Sequence, residues 1–146
     1  MKHILNISVL TLTLFYSSIS FGQTKVLDSL IQNISNKQAY ILLTRTMSPR
    51  INSTVGIKII QLGKAATPEL IKVLDDQNKG IIAHFILSEI WKERWNQEIC
   101  CAISNDGVLE IISINGLKIY IDDNTLFAKK DDLKRNKERW RKIWES

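Results

Sequence analysis

The chain has few of the residues that build covalently linked or metal-held folds. Its 146 residues include two adjacent cysteines, Cys100 and Cys101, and two histidines, His3 and His84. Ordinary disulfides join separated segments of a chain. This pair is therefore interpreted either as two buried thiols or as a less usual disulfide, formed between the two neighbours or with another molecule. Two adjacent cysteines and His84 lack the spacing of a zinc motif, and we expect no metal site.

Motifs for catalysis are also missing. The six glycines are scattered singly, and no phosphate-binding loop, dinucleotide fingerprint or metalloprotease helix occurs. His84 follows an apolar run and precedes Phe85, with no serine elbow in the chain, which favours a structural histidine. Three adjacent acidic pairs are typical of turns and helix caps: Asp75-Asp76, Asp122-Asp123 and Asp131-Asp132. The sequence therefore predicts neither enzyme activity nor a cofactor.

Residues 1–22 have the three parts of a signal peptide. Lys2 and His3 precede an apolar stretch from Ile4 to Ile19, and small residues up to Gly22 suit a signal peptidase. Cleavage there would leave Gln23 first, and no cysteine is placed for a lipoprotein anchor. The alternative is a retained membrane anchor of nearly minimal length. We expect a periplasmic or secreted protein.

Residues 23–146 are enough for one domain with a modest core. Apolar residues at helical spacing predict a series of helices, and Pro49 interrupts the pattern between Met47 and Ser53. Thr67 and Pro68 suit the start of one of these helices. The predicted helices cover Val26–Ile34, Gln38–Thr46, Thr54–Leu62, Thr67–Leu74 and Lys79–Trp95.

The segment LGKAATPELIKVLDDQN, with the helix after it, resembles a HEAT repeat. Such a repeat has a first helix of the form P-x-L-I-x-x-L, an Asp/Asn turn and a second helix packed back on the first. The resemblance covers about residues 54–91. It departs at Gly80–His84, where the family often has a Val-Arg pair and an Ala-rich run. It implies a mainly α fold of HEAT-like antiparallel helix hairpins, and an ordinary helical bundle is the alternative.

The C-terminal third differs in composition. Asn115-Gly116 is a preferred hairpin turn, and it predicts a small β-hairpin over residues 107–122, with Ile114 opposite Leu117 and Ile112 opposite Ile119. A buried helix over Val108–Ile114 is the alternative. Residues 131–145 then form a closing amphipathic helix, in which Lys and Arg surround an apolar side.

These features favour an exported, non-enzymatic protein-binding or scaffold module of HEAT-like type. The candidate contact residues are Trp91, Trp95, Arg135, Arg139, Trp140 and Arg141. Export argues against nucleic acid, and interspersed acids disfavour an anionic membrane surface as the partner. The alternative interpretation of the C-terminal helix is a solvated amphipathic helix whose tryptophans pack into the core and contact no partner. Alternative functions are a small immunity-type protein that neutralises an antibacterial toxin, and an enzyme with an unrecognised site.

Overall fold

The computed structural model describes residues 25–43, 47–95, 102–105 and 110–146. Helix α1 covers residues 25–32, and a 3-10 turn covers Asn36–Gln38. Strands β1 and β2 cover Ala39–Leu43 and Met47–Ile51, and helices α2, α3 and α4 cover Thr54–Gln61, Thr67–Lys72 and Gly80–Ile90. The remaining elements are β3 (Ala102–Asn105), β4 (Glu110–Ile114), β5 (Leu117–Asp122), β6 (Thr125–Phe127) and α5 (Lys130–Glu145), with further 3-10 turns at Gly63–Ala66 and Lys92–Trp95.

The fold mixes helices with two antiparallel sheets. Strands β1 and β2 form one sheet, and the other has the strand order β3-β4-β5-β6. The expectation of a mainly α, HEAT-like fold over residues 23–146 is therefore wrong. Helices α3 and α4 do pack as a pair, but strands lie before and after the helices where a solenoid would continue with further helical repeats.

The first sheet replaces the helix predicted over Gln38–Thr46. Along β1, Ala39 is buried whereas Tyr40 and Leu42 are 46% and 41% exposed, which is the two-residue alternation of a strand. Ile41 faces Pro49 in the β1–β2 register. A proline has no N–H for the ladder and is tolerated at the edge of a sheet. Tertiary pairing with β2 therefore overrides the helical spacing of Ala39, Leu42 and their neighbours.

Helix α4 is the centre of the core. All nine residues from Gly80 to Ser88 are buried, whereas the sequence predicts an apolar stripe with polar shoulders. A Cβ atom at Gly80 would lie 2.5 Å from the carbonyl oxygen of Leu74 and 2.8 Å from Leu133 Cδ2. Glycine therefore lets the start of α4 approach both the end of α3 and helix α5. A helix that is apolar on every side is typical of a fully enclosed element.

A distant asparagine caps α4. The Asn36 carboxamide oxygen accepts the backbone N–H groups of Ile81 (3.0 Å) and Ile82 (3.1 Å). Its amide nitrogen donates to the backbone oxygen of Gln77 at 2.9 Å. Helix starts leave unsatisfied N–H groups, and α4 has no side-chain cap from its own N-cap residue, Lys79. The 3-10 turn therefore anchors the loop between α3 and α4.

The C-terminal hairpin agrees with the sequence. Strands β4 and β5 pair around Asn115-Gly116, with Ile114 opposite Leu117 and Ile112 opposite Ile119. These four apolar side chains are fully buried, and Asn115 and Gly116 have φ values of 44° and 79°, as this turn requires. The alternative helix over Val108–Ile114 is wrong for the described residues 110–114.

Some expectations lie outside the described residues. They are the signal peptide over residues 1–22, the state of Cys100 and Cys101, and the side chain of Trp95. Within the described part of the chain, none of the helices is both long and apolar enough to cross a bilayer.

Candidate binding surface

Helix α5 has one side anchored in the core and another that is highly charged. Leu133 and Trp140 are fully buried, and Asn136 is 2% exposed. At its start, Tyr120 Oη donates to Asp132 Oδ2 at 3.2 Å. In the middle, Lys137 Nζ binds Asp75 Oδ1 at 2.8 Å and the backbone oxygen of Lys72 at 2.9 Å. These contacts hold the helix in one rotational position, so its charged side is fixed relative to the fold.

That charged side lines a shallow groove of about 410 Å³, which we call the basic groove. Among the described residues, its lining carries four cations and one acid and no apolar side chain: Lys134, Arg135, Glu138, Arg139 and Lys142. The spacing of Lys134, Glu138 and Lys142 by four residues places them on one face of the helix. The groove is therefore a surface with a net positive charge.

Two of its charges are balanced within the helix, and two lysines are not. Arg135 forms a salt bridge with the buried Asp132 at 2.5 Å, and Glu138 pairs with Arg141 at 3.3 Å. Among the described residues, Lys134 and Lys142 form no salt bridge within 4.0 Å. Both ammonium groups are therefore available to a partner, although the charge of Lys134 also acts on Asp75.

Arg139 lies at the border between groove and core. Its Nη2 donates to Asn136 Oδ1 at 3.0 Å, and the guanidinium fills the space that a Cβ atom would occupy at Gly116. Partial burial lowers the pKa of the Arg139 guanidinium below its usual range. Arginine pKa values are so high that the group remains cationic near neutral pH.

A second exposed feature is the tryptophan patch, formed by Lys64, Trp91, Arg94 and Trp144. The rings of Trp91 and Trp144 meet edge to face with centroids 6.2 Å apart. Lys64 Nζ lies 4.6 Å from the Trp91 ring centre, and Arg94 Cζ lies 5.9 Å from it. Trp91 Nε1 also donates to Thr67 Oγ1 at 3.0 Å. Much of this aromatic surface is thus already engaged in contacts within the protein.

The sequence-predicted contact residues separate in the structure. Arg135 and Arg139 lie together in the basic groove, and Arg141 pairs with its central acid. Trp91 belongs to the tryptophan patch, whereas Trp140 is fully buried, as the core-docking alternative expects. Lys134 and Lys142 were missed. Their four-residue spacing about Glu138 is the signal that would have found them.

His84 is a structural residue. It is fully buried, its Nδ1 accepts from Trp140 Nε1 at 2.9 Å, and its Nε2 lies 2.9 Å from the backbone oxygen of Ile114. Because Nδ1 accepts, the ring proton is on Nε2 and is donated to Ile114. Burial, followed by the positive charge of Arg139, lowers the pKa of His84 from 6.5 to about 3. Both ring nitrogens are occupied, so His84 offers no accessible base or metal ligand.

No cluster of three His, Cys, Asp or Glu side chains suited to a metal occurs in the described ranges. Comparisons of the chain with protein-family models, curated proteins and solved structures find no match. The resemblance to HEAT repeats over residues 54–91 consequently remains a prediction.

Proposed function

We propose that this protein is a non-catalytic binding module that recognises an acidic protein surface through the basic groove. The observation that carries the proposal is the division of α5 into an anchored side and a charged side. Trp140 and Leu133 hold the helix in the core, while Lys134 and Lys142 extend into the groove without salt-bridge partners. A rigid helix that presents uncompensated charge suits electrostatic recognition.

The dimensions of the groove favour a surface over a point-like ligand. Lys134 and Lys142 are eight residues apart, which corresponds to about 12 Å along a helix. Arg139 lies between them along the chain and borders the same groove. A partner with several acidic side chains over two helical turns would match these charges. A single small anion would reach only part of them.

Two other partner classes fit less well. Interfacial membrane helices bury an apolar face in the lipid, and no apolar residue is among the described residues that line the groove. Nucleic-acid sites combine positive charge with stacking or base-reading groups, whereas Glu138 lies at the centre of this surface. The signal peptide predicted over residues 1–22 would place the partner in the periplasm or outside the cell. A secreted toxin, as in the immunity-type alternative, is one such partner.

The inaccessibility of His84 supports a non-catalytic role. An enzyme with an unrecognised site would need an exposed base or nucleophile in a cleft, and the one histidine in the described residues is enclosed and doubly hydrogen-bonded. The described residues of the basic groove are Lys, Arg and one Glu, whose carboxylate pairs with Arg141. A binding role requires only the charge that is present there.

The test is affinity capture from periplasmic and envelope extract with the chain from Gln23 onwards as bait. The key variant combines Lys134→Gln with Lys142→Gln, which removes two charges and keeps polar side chains that are only one methylene shorter. The matched control combines Arg50→Gln with Lys58→Gln, two exposed cations on β2 and α2. We expect an acidic partner whose recovery falls about tenfold with the groove variant and is unchanged with the control.

Equal recovery with both variants would contradict the groove as the contact surface. If the partner is recovered less and less as the salt concentration rises, and equally so with the groove variant and the control variant, the attraction between charges is non-specific. Failure to recover any specific partner would contradict the binding-module proposal.

A further inference from the structure

A polar cleft lies where the 3-10 turn at Asn36–Gln38, the loop between α3 and α4, and the start of β6 meet. Its volume is about 490 Å³, which is typical of sites for small molecules. We call it the amide cleft, because three exposed carboxamide side chains line it: Gln77, Asn78 and Asn124. None of the residues that line the basic groove is among the described residues that line this cleft. It is therefore a separate feature of the surface.

Hydrogen bonds fix the backbone on two sides of the amide cleft. The backbone N–H of Asn36 donates to the backbone oxygen of Asn78 at 2.6 Å, and Asn36 Nδ2 donates to that of Gln77 at 2.9 Å. Within the α3–α4 loop, Asp76 Oδ1 accepts from the backbone N–H of Asn78 at 2.7 Å. A site whose walls are already ordered loses less conformational entropy when a ligand binds.

The exposed polar side chains of the amide cleft are not used by the fold. In the described part of the chain, five of them form neither a hydrogen bond nor a salt bridge: Lys37, Gln77, Asn78, Asn124 and Thr125. Asn36 differs from them, because both ends of its carboxamide bind backbone groups. The cleft thus combines a fixed frame with polar groups that are free to contact a ligand.

The turn that carries Asn124 is a less favourable one than the sequence could have formed. Asp123 and Asn124 have φ values of 44° and 63°, whereas the turn between β4 and β5 has φ values of 44° at Asn115 and 79° at Gly116. Glycine accepts this left-handed conformation most easily, and it is the preferred second residue of such turns. The β5–β6 turn instead carries a side chain at that position, and a ligand contact in the cleft would explain the asparagine.

The chemistry of these groups selects the ligand. Each carboxamide both donates and accepts hydrogen bonds, and so does the Thr125 hydroxyl. Lys37 is the one charged residue among the described lining residues. A matching ligand therefore donates and accepts at neighbouring atoms and is uncharged, as the adjacent hydroxyl groups of a saccharide do.

A peptide fits the amide cleft less well. Peptide-binding grooves combine main-chain hydrogen bonds with pockets that receive alternate side chains. The apolar residues of the described lining are the buried Ala39 and the half-buried Leu126. These two residues do not form an apolar pocket for a side chain, so the polar groups of the cleft dominate recognition.

We infer that the amide cleft binds a neutral saccharide unit through the carboxamides of Gln77, Asn78 and Asn124. The inference goes beyond the proposed function and does not depend on it, because the two surfaces have no described lining residue in common. The signal peptide predicted over residues 1–22 would bring the cleft to glycans of the envelope or the exterior.

The test begins with the intact mature chain on an array of immobilised neutral mono- and oligosaccharides. We expect selective retention on at least one saccharide. That saccharide is then titrated into the chain labelled with nitrogen-15, and we expect saturable NMR shifts of the side-chain amide signals of Gln77, Asn78 and Asn124. Retention on none of the saccharides, or shifts confined to other residues, would overturn the inference.

Two pairs of variants locate the site. Asn124→Gly removes a carboxamide and keeps the left-handed turn, and its matched control is Asp123→Gly in the same turn, outside the described lining. Gln77→Ala is matched by Gln61→Ala, an exposed glutamine on α2. Each cleft variant should weaken saccharide binding by about threefold to tenfold, the loss of one hydrogen bond, and each control should leave it unchanged.

Thermal melting shows that all four variants are folded. Equal affinity of each cleft variant and its control would overturn the site. Tighter binding of the uncharged peptide N-acetyl-alanyl-alaninamide than of any saccharide would overturn the assignment to a saccharide.

The basic-groove variant separates this inference from the proposed function. Lys134→Gln with Lys142→Gln should leave saccharide affinity unchanged, and a loss would place the saccharide in the basic groove and overturn the cleft. If the saccharide binds and no acidic partner is captured, the cleft stands and the proposed function fails.

Discussion

His84 in α4 and Asn136 in α5 are both buried polar side chains, and they differ in how fully their nitrogen atoms are hydrogen-bonded. In α4, the ring nitrogens of His84 are matched by Trp140 and the backbone oxygen of Ile114. In α5, Asn136 accepts from Arg139, but its amide nitrogen has no partner among the described residues. Satisfied buried polar groups stabilise a unique core, whereas an unsatisfied donor lowers stability. The comparison teaches that His84 belongs to the fold's own polar network, whereas the Nδ2 group of Asn136 has no such role among the described residues.

The largest expected effect is on α4. His84→Ala removes a fully buried ring and leaves Trp140 Nε1 and the Ile114 oxygen without partners. We expect the free energy of unfolding to fall by about 3–5 kcal/mol, measured by denaturant titration. Ser88→Ala is the control on the same helix, because the buried Ser88 Oγ has no partner to lose. It should change the free energy of unfolding by less than about 1 kcal/mol. A similar loss in both variants would contradict a specific stabilising role for the two hydrogen bonds of His84.

The next effect is a dependence of stability on pH. The pKa of His84 is about 3 in the folded chain, whereas the ordinary pKa of a histidine in an unfolded chain is 6.5. Between these values the unfolded chain binds more protons, so stability is full above pH 6.5 and decreases as the pH falls towards 3. We expect a loss of about 2 kcal/mol between pH 6.5 and 4.5, from the linkage of about 1.4 kcal/mol per pKa unit.

Chemical denaturation at several pH values measures this loss, and His84→Ala should flatten the curve. Asp75 does not confound this window. Its hydrogen bond with Lys137 lowers its pKa below 3.8, so its contribution is lost only at more acidic pH. An unchanged slope in His84→Ala would show that other groups cause the dependence.

A smaller effect is expected at the buried asparagine of α5. Asn136→Leu loses the hydrogen bond with Arg139 and also removes an unpaired amide, and these changes oppose each other. The free energy of unfolding should change by less than about 1 kcal/mol. A loss as large as that of His84→Ala would mean that Asn136 is part of the fold's own polar network, and the contrast between the helices would disappear.

The smallest effect is expected in the basic groove. The combined change of Lys134→Gln and Lys142→Gln should alter stability by less than about 0.5 kcal/mol, because exposed charges without salt bridges contribute little to folding. Thermal melting beside the Arg50→Gln, Lys58→Gln control measures it. If this variant is more stable because repulsion between the cations is reduced, the lysines serve binding and not folding. If it is markedly less stable, the lysines have a structural role.

Local signals in the sequence predicted the β4–β5 hairpin and the closing helix, but not strands β3 and β6, which pair on either side of that hairpin. The Asn115-Gly116 turn predicted the β4–β5 register, and the charge pattern predicted a helix over residues 131–145 that the structure extends to Lys130–Glu145. The prediction failed for β1, where helical spacing and strand alternation overlap in a segment as short as Ala39–Leu43. The sequence also predicted that only one face of α4 is buried. Residue periodicity detects a helix by its polar and apolar faces, so it does not describe a helix that is buried on every side.

The binding surface was only partly predictable. Arg135 and Arg139 were identified from charge density, but Trp140 was included although it is buried. Sequence spacing places residues on a helix, yet it does not show which side of that helix packs against the sheet. The contact between Arg139 and the Gly116 turn joins residues far apart in the chain, and no local pattern encodes it.

By itself, the sequence determined the hairpin turn, the limits of most helices and the positive charge of α5, since these depend on neighbouring residues and short periodicities. Only the tertiary structure decided that β1 is a strand, that α4 is enclosed, and that Arg139 packs against both Gly116 and Asn136. Those outcomes depend on which surfaces exclude water from one another, and that is a property of the packed chain.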